Sequence, residues 1–320
     1  MQPGQVAGTM PVSLIREVWE LARRDSEAIH LEVGEPDFPT PPHIVQAAAE
    51  AGAAGHTRYT PNAGVPELRR ALAGKVAERN GYAVDPQQVV VTAGGVEALH
   101  AVLRALLDPG DHVLMPDPAW PNFTMIAHLI GAEVGRYPLT AETGFLPKLA
   151  DLDRLVGPRT RVLLLNTPSN PLGSVLPAPL FEKLLAFARR HRLWVISDEV
   201  YDELVFDETF VSAGVLASPE DALVSIYSFS KVYAMTGWRV GYCVAPLELA
   251  ALLTQVQEPI VSCVNAPAQQ AALPPSKARR TRWPRCAPPT TPGATSCWLR
   301  SDGAASRPFG PRARSTCGST

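Results

Sequence analysis

Six short apolar runs, bounded mostly by turn-forming or polar residues, alternate with amphipathic stretches along the chain: Val89–Thr92, His112–Met115, Arg161–Leu165, Trp194–Ser197, Leu223–Tyr227 and Gly241–Ala245. Two of the intervening stretches have helical period. After Gly95, the residues Leu99, Val102, Leu103, Leu106 and Leu107 recur at the spacing of one helix face, and Asp108-Pro109-Gly110-Asp111 ends that helix with turn chemistry. Phe181, Leu184, Leu185 and Ala188 form a second such face ahead of Arg189-Arg190-His191. Strand–helix–strand order predicts an α/β fold, a mostly parallel sheet sandwiched by helices. In such sheets ligands bind beyond the carboxyl ends of the strands. That rule selects Thr92–Gly95, Asn166–Asn170, Asp198–Tyr201 and Ser228–Lys231, each directly after a strand. No internal repeat is visible.

Composition narrows the class. At 320 residues the chain exceeds one ordinary core, so two domains, or one large α/β domain with a smaller companion, are expected. It is 46% apolar and 19% charged, with a formal charge of −2, which gives no general pull toward nucleic acid or an acidic membrane. No 18-residue uncharged apolar run exists, and no apolar stretch follows a basic start, so a cytoplasmic protein is the expectation. The seven histidines show no metal-like spacing, and no metal is assigned. Cys243 lies in a strand and Cys263 in a helical stretch, both read as buried apolar residues rather than nucleophiles.

The averages conceal a break. From Pro274 to Thr320 there are eight Pro and eight Arg, three of the five cysteines, and a single residue (Leu299) among Leu, Ile, Val and Met. The nine basic residues there against Asp302 give +8, leaving −10 for the rest of the chain. Such a segment buries too little apolar surface to offset its ordering entropy, so disorder is expected. A basic nucleic-acid-binding arm is one reading, but the arginines are scattered among Pro, Ser and Thr without period. The favoured reading is text from a shifted frame through GC-rich coding DNA, with Ala266–Leu273 as a helix that starts and stops without a cap.

Each strand end suggests a chemistry. Thr92-Ala93-Gly94-Gly95 joins a strand to a helix; its glycines let backbone N–H groups approach an anion at the helix N-terminus, although a plain Gly-Gly turn has the same text. It matches neither a Walker loop nor a dinucleotide fingerprint. Asp198 is either a helix N-cap or a buried carboxylate that holds a protonated ring nitrogen. Lys231, set among small and apolar residues past a strand, has the environment of a nucleophilic amine that condenses with an aldehyde. Ser228, Ser230 and Arg239 supply hydroxyls and a guanidinium for a phosphate.

The run Ser228-x-Ser-Lys231-x-x-x-Met-Thr-Gly-Trp-Arg239-x-Gly-Tyr resembles the lysine signature of the class I/II aminotransferases, the fold-type-I pyridoxal-phosphate enzymes. Further segments agree in the family's order: Gly34-Glu35-Pro36-Asp37-Phe38, Tyr59-Thr60-Pro61-Asn62-Ala63-Gly64 with Glu67-Leu68-Arg69, Thr92–Gly95, Asp117-Pro118-Ala119-Trp120, and Asn166-Thr167-Pro168-Ser169-Asn170-Pro171-Leu172-Gly173, where Leu172 replaces the commoner Thr. The resemblance covers roughly residues 13–272. It implies pyridoxal 5'-phosphate as cofactor and Lys231 as both its Schiff-base partner and the proton carrier at the substrate Cα. Asp198 would pair with the ring nitrogen, Tyr201 and Asn170 would hydrogen-bond the phenolic oxygen, and Trp120 would stack on the ring. Gly95 and Val96 amides, Ser228 and Arg239 would hold the phosphate, with Tyr59 reaching in from a second subunit of a homodimer. Gly34, Trp120 and Asn170 would line the substrate side. Trp120 and Tyr59 also read as ordinary aromatics, and Gly34 as a backbone requirement.

The implied function is transfer of an amino group from an L-amino acid to a 2-oxo acid. A C–S lyase or decarboxylase on the same scaffold, or a catalytically impaired cofactor-binding fragment, are the alternatives. The expected organisation is a segment 1–40 that contributes to a small domain and the substrate side, a large domain over 41–273, and the tail 274–320. Most of the small domain, with the arginine that takes the substrate carboxylate in the family, has no counterpart in the text after Leu273, so cofactor binding is expected more firmly than turnover.

Overall fold

Val90 and Val91 are neighbours in the chain yet belong to different cores, because side chains alternate across a pleated strand. The same alternation runs through the whole sheet. In the computed structural model, which describes residues 4–206 and 208–277, seven strands pair: β1 (Val89–Thr92), β2 (His112–Asp117), β3 (Glu133–Pro138), β4 (Thr160–Asn166), β5 (Trp194–Asp198), β6 (Leu223–Ser228) and β7 (Gly241–Val244). Their order across the sheet is β1-β7-β6-β5-β4-β2-β3, and only β7 is antiparallel to its neighbours. One face carries Val90, Val113, Val162, Leu164, Ile196 and Cys243. It is covered by α5 (Gly95–Leu106), α6 (Pro121–Ile130) and α10 (Leu247–Val261).

The other face carries two packed groups. Val89, Val91, Tyr242 and Val244 lie under α3 (Pro42–Ala53), α4 (Pro66–Lys75) and α11 (Ala266–Lys277). Leu114, Leu163, Leu165 and Val195 lie under α7 (Leu149–Leu155), α8 (Ala178–His191) and the short α9 (Ala213–Leu216). The expected sandwich is therefore present. The segment before α3 is different: the short α1 (Gln5–Gly8) and α2 (Leu14–Ala22) bury no residue, and Leu14, Val18 and Leu21 of α2 stay exposed. Among the described residues no helix is long and apolar enough to cross a membrane.

Four expectations change. Strand β3 has no counterpart in the sequence reading. It is an edge strand whose alternate residues face outward, and Gly135 and Pro138 dilute its apolar pattern. Helix α11 does not stop at Leu273 but runs to Lys277 through Pro274 and Pro275, so the first residues assigned to the tail belong to the fold. Packing outweighs the lost N–H donors there: Ala271 and Ala272 are fully buried, Ser276 Oγ donates to the Ala272 carbonyl at 2.6 Å, and Arg79 donates to the Pro275 carbonyl. Cys263 lies just past α10 and accepts the Thr60 N–H at 3.5 Å, whereas Cys243 is a buried strand residue as expected. Asp198 caps no helix; a run of turns follows it. The remaining tail, with its proposed disorder, frame shift or basic arm, lies outside the described residues.

Candidate functional site at the carboxyl edge of the sheet

Register assembles the site. Asn166 pairs with Asp198, Ser228 with Gly241, and Gly241 with Thr92, so four strand ends and the start of β7 form one row. Because β7 runs the opposite way, it begins on the edge where its neighbours end. Arg239, two residues before β7, is thereby delivered to the same edge as Asp198 and Ser228. Gly241 must be glycine for this contact: a Cβ there would come within 2.7 Å of the Gly94 carbonyl carbon and 2.8 Å of the Gly95 nitrogen.

The turn into α5 is built around Arg239. Gly94 has a φ of 85° and a Cβ on it would lie 2.4 Å from Arg239 Nη2. Arg239 itself sits at a φ of 54°, uncommon for a residue with a side chain, and donates to the Thr236 carbonyl at 2.8 Å and the Ala93 carbonyl at 3.3 Å. Glu97 accepts the Ala93 N–H at 2.8 Å, a brace three residues past the N-cap Gly94. Gly95 and Val96 open the helix, where N–H groups lack intrahelical partners and the helix dipole is positive. Ser228 lies beside Gly95, and its Oγ accepts the Ser230 N–H at 3.1 Å.

Asp198 is buried and its carboxylate accepts the Val200 N–H at 3.3 Å; among the described residues it has no cationic partner. Burial, with the neighbouring Glu199 adding to it, raises its carboxyl to about 7. The Asn166 side chain links this end to the next loop, donating to the Asp198 carbonyl at 3.2 Å and accepting the Asn170 N–H at 2.7 Å. Tyr201 lies near Asn170, and its hydroxyl is pushed to about 12 by burial and by Asp198. Trp120 caps α6, packs against the first core and meets Phe123 edge-on at 5.6 Å.

Lys231 Nζ donates to the Gly34 carbonyl, which brings the N-terminal segment onto the edge. Burial lowers the lysine pKa, Glu35 opposes that, and Arg239 reinforces it. Thr236 donates to Glu35 at 3.2 Å, while Trp238 donates to Thr40, and Thr40 in turn to the Ala234 carbonyl. A cleft of about 700 Å³ opens beside this junction, lined by Glu35, Phe38, Thr236, Trp238, Arg239 and Asn265. Neither Lys231 nor Asp198 lines it; it adjoins them through Glu35 and Arg239.

Gly34, Gly95, Val96, Asn170, Asp198, Tyr201, Ser228, Lys231 and Arg239 thus gather at one edge, with Trp120 at the end of the loop after β2. Tyr59 does not join them in this chain: it is 92% exposed. Its loop is nevertheless fixed, since Gln269 of α11 accepts the Val65 N–H and donates to Thr60, and Gln257 of α10 donates to the Asn62 carbonyl. Glu35, Glu97 and Glu199 also bear on the site, although no sequence motif singles them out as functional. Glu97 had a readable signal in its spacing from the Gly-Gly turn. Glu199 had none, since beyond the nearby Ser197 its partners Ser212 and Ala213 are distant in sequence.

The pattern that defines aminotransferase class I and II matches residues 26–279. An aspartate/prephenate aminotransferase of Thermus thermophilus is 38% identical over 262 residues, which are 82% of this chain and 68% of that protein. An arginine–pyruvate transaminase of Pseudomonas aeruginosa is 44% identical over 227 residues, 71% of this chain and 58% of that one. Among solved structures, the Rhizobium meliloti aspartate aminotransferase has a TM-score of 0.83 at 34% identity, covering 88% of this chain and 72% of its own. The Thermus thermophilus aspartate aminotransferase with maleate has a TM-score of 0.82 at 35% identity, covering 86% and 73%. The chain spans 58% to 68% of the length of these two curated relatives.

Proposed function

The chain belongs to the class I and II aminotransferases, enzymes that use pyridoxal 5'-phosphate, and from that membership we propose that it transfers an amino group from an L-amino acid to a 2-oxo acid with Lys231 as the cofactor-bearing residue. One observation carries this reading: a buried carboxylate with no cationic partner among the described residues, a lysine amine and an arginine-backed helix N-terminus share one sheet edge. Each suits a different part of the cofactor. Asp198 suits a cationic ring nitrogen, Lys231 an aldehyde, and the α5 N-terminus with Arg239 a phosphate.

When bound, pyridoxal phosphate supplies a carbonyl that takes up the amino group and a ring that accepts electrons from the substrate Cα. The residues of this chain do the rest. Asp198, ionised opposite a ring N–H, keeps that nitrogen protonated. Lys231, with its amine made easier to deprotonate by burial, takes and returns the Cα proton. Tyr201 and Asn170 hydrogen-bond the phenolic oxygen, and Trp120 covers the ring face and excludes water. Gly95 and Val96 amides, Ser228 and Arg239 hold the phosphate. Gly34, Trp120 and Asn170 line the substrate side. Tyr59, exposed on a fixed loop, serves the phosphate of a second subunit in a homodimer. The N-terminal segment to residue 40 contributes to the substrate side, and the residues from 41 to the end of α11 at Lys277 form the cofactor domain. A cytoplasmic enzyme of amino acid metabolism fits this reading.

Absorbance tests it. The protein mixed with pyridoxal phosphate should show the visible band of lysine-bound cofactor, Lys231→Ala should lose it, and an amino donor should convert it. Aspartate and arginine are the first donors to try, since the relatives are named for them. A band that survives Lys231→Ala, or that no amino acid changes, refutes the reading.

A further inference from the structure

The segment Asp198-Glu199-Val200-Tyr201-Asp202-Glu203 sends its polar side chains to three places. Asp198 and Tyr201 belong to the site just described. Glu199, fully buried, accepts hydrogen bonds from Ser197, Ser212 and the Ala213 N–H. Asp202 and Glu203 enter a separate buried charge cluster. Lys75, at the end of α4 and 6% exposed, donates to Asp202 at 2.7 Å and to Asn80 at 2.9 Å. Its ammonium lies 3.6 Å from Glu203 and over the ring of Tyr227, 5.0 Å from the centroid. Asn80 also donates to Asp202, at 2.8 Å. Arg79 completes the set, 3.2 Å from Glu203 and donating to the Tyr233 hydroxyl at 2.8 Å.

Two cations, at the end of α4 and just past it, therefore neutralise two carboxylates in the turn after β5, and neutral contacts tie them to two more pieces of chain, the Tyr227 ring of β6 and the Tyr233 hydroxyl in the turn after β6. The two turns are the ones that carry Tyr201 and Lys231. Buried ion pairs contribute little net stability, because desolvation offsets the attraction; their best-attested role is to enforce one arrangement, since any slide leaves a buried charge unpaired. We propose that Lys75, with Arg79 as its second arm, is a positioning residue that sets the Tyr201 turn against the Lys231 turn across the cofactor site. The inference rests on the reading of that site given above.

The test uses the full chain loaded with pyridoxal phosphate. The readouts are cofactor affinity and the pH midpoint of the lysine-bound band, which a purely structural residue would not move. Lys75→Met with Asp202→Asn removes both charges of the closest pair, leaving Glu203 with Arg79. This pair of substitutions should fold, shift the midpoint by about half a pH unit or more, and weaken cofactor binding roughly tenfold. A folded double variant with midpoint and affinity unchanged overturns the proposal. Should it fail to fold, Tyr233→Phe, which removes only the hydroxyl bound by Arg79, carries the test: a moved midpoint supports the proposal and an unmoved one overturns it. An unsubstituted chain without any band would instead remove the reading of the site, and this inference with it.

Discussion

Asp198 occupies a position that is costly until a cation arrives. Burial holds its carboxyl near 7 in the cofactor-free protein, against 3.8 as its ordinary value. Between those values the unfolded chain is the more deprotonated state, so this residue's contribution falls as pH rises and its full cost applies above about 7. Asp198→Asn removes the cost. The cofactor-free variant should melt higher than the parent, with a margin that grows by about 2–3 kcal/mol from near pH 5 to near pH 8. The same variant should bind pyridoxal phosphate more weakly, because the ring nitrogen loses its counter-charge. Thermal melts at the two pH values, with and without cofactor, separate these opposite signs. A margin independent of pH would show that Asp198 is ionised or solvated in the free protein. Asp198 and Lys231 were both readable from their place after strands; that no cation among the described residues pairs with Asp198 was not, since it depends on every segment that packs there.

The direction of one strand decides how the site closes. Arg239 is recognisable in the sequence by its spacing from Lys231, but only the antiparallel course of β7 brings it against Gly94. Gly241→Ala tests this contact, since the added methyl meets the backbone of Gly94 and Gly95, which no rotamer change can move away. The expected cost is about 1–3 kcal/mol of stability, together with weaker cofactor binding as the α5 turn is pushed aside. Melting and cofactor titration measure both, and a variant with unchanged affinity would show the turn to be more compliant than the contact implies. The central strands were legible as continuous apolar runs, since the sheet buries them on both faces, and the face of α5 by its helical period. Strand β3 was not: at the sheet edge only Gly135 and Tyr137 are buried, and pairing with β2 rather than apolar pattern makes it a strand. The last turn of α11 was missed for the opposite reason. Two prolines argue for a stop, and packing against α3 and α4 carries the helix past them.

At the scale of the whole molecule, Tyr59 is the residue on which the proposed second copy can be tested, since its loop is held while its ring is 92% exposed among the described residues. If Tyr59 serves its partner's site, Tyr59→Ala and Lys231→Ala chains that are weak or inactive alone should regain activity when refolded together, because a mixed dimer has one site free of both changes. Failure of the mixture to exceed its components, with mixed dimers demonstrated by mass, would remove Tyr59 from the site. The amino-acid sequence by itself determined the parallel α/β sandwich, the strand ends that matter, and the order of residues with the chemistry for a phosphate, a ring nitrogen and an aldehyde. Those depend on periodicity and on short spacings within one segment. Tertiary structure alone decided which end met which: the Asn166–Asp198 pairing, the approach of Arg239 to Gly94, the Gly34 carbonyl at Lys231, and the buried charges of Lys75, Arg79, Asp202 and Glu203. Such contacts join residues far apart in the chain, and no local pattern encodes a partner whose approach depends on how the sheet registers and which helices cover it.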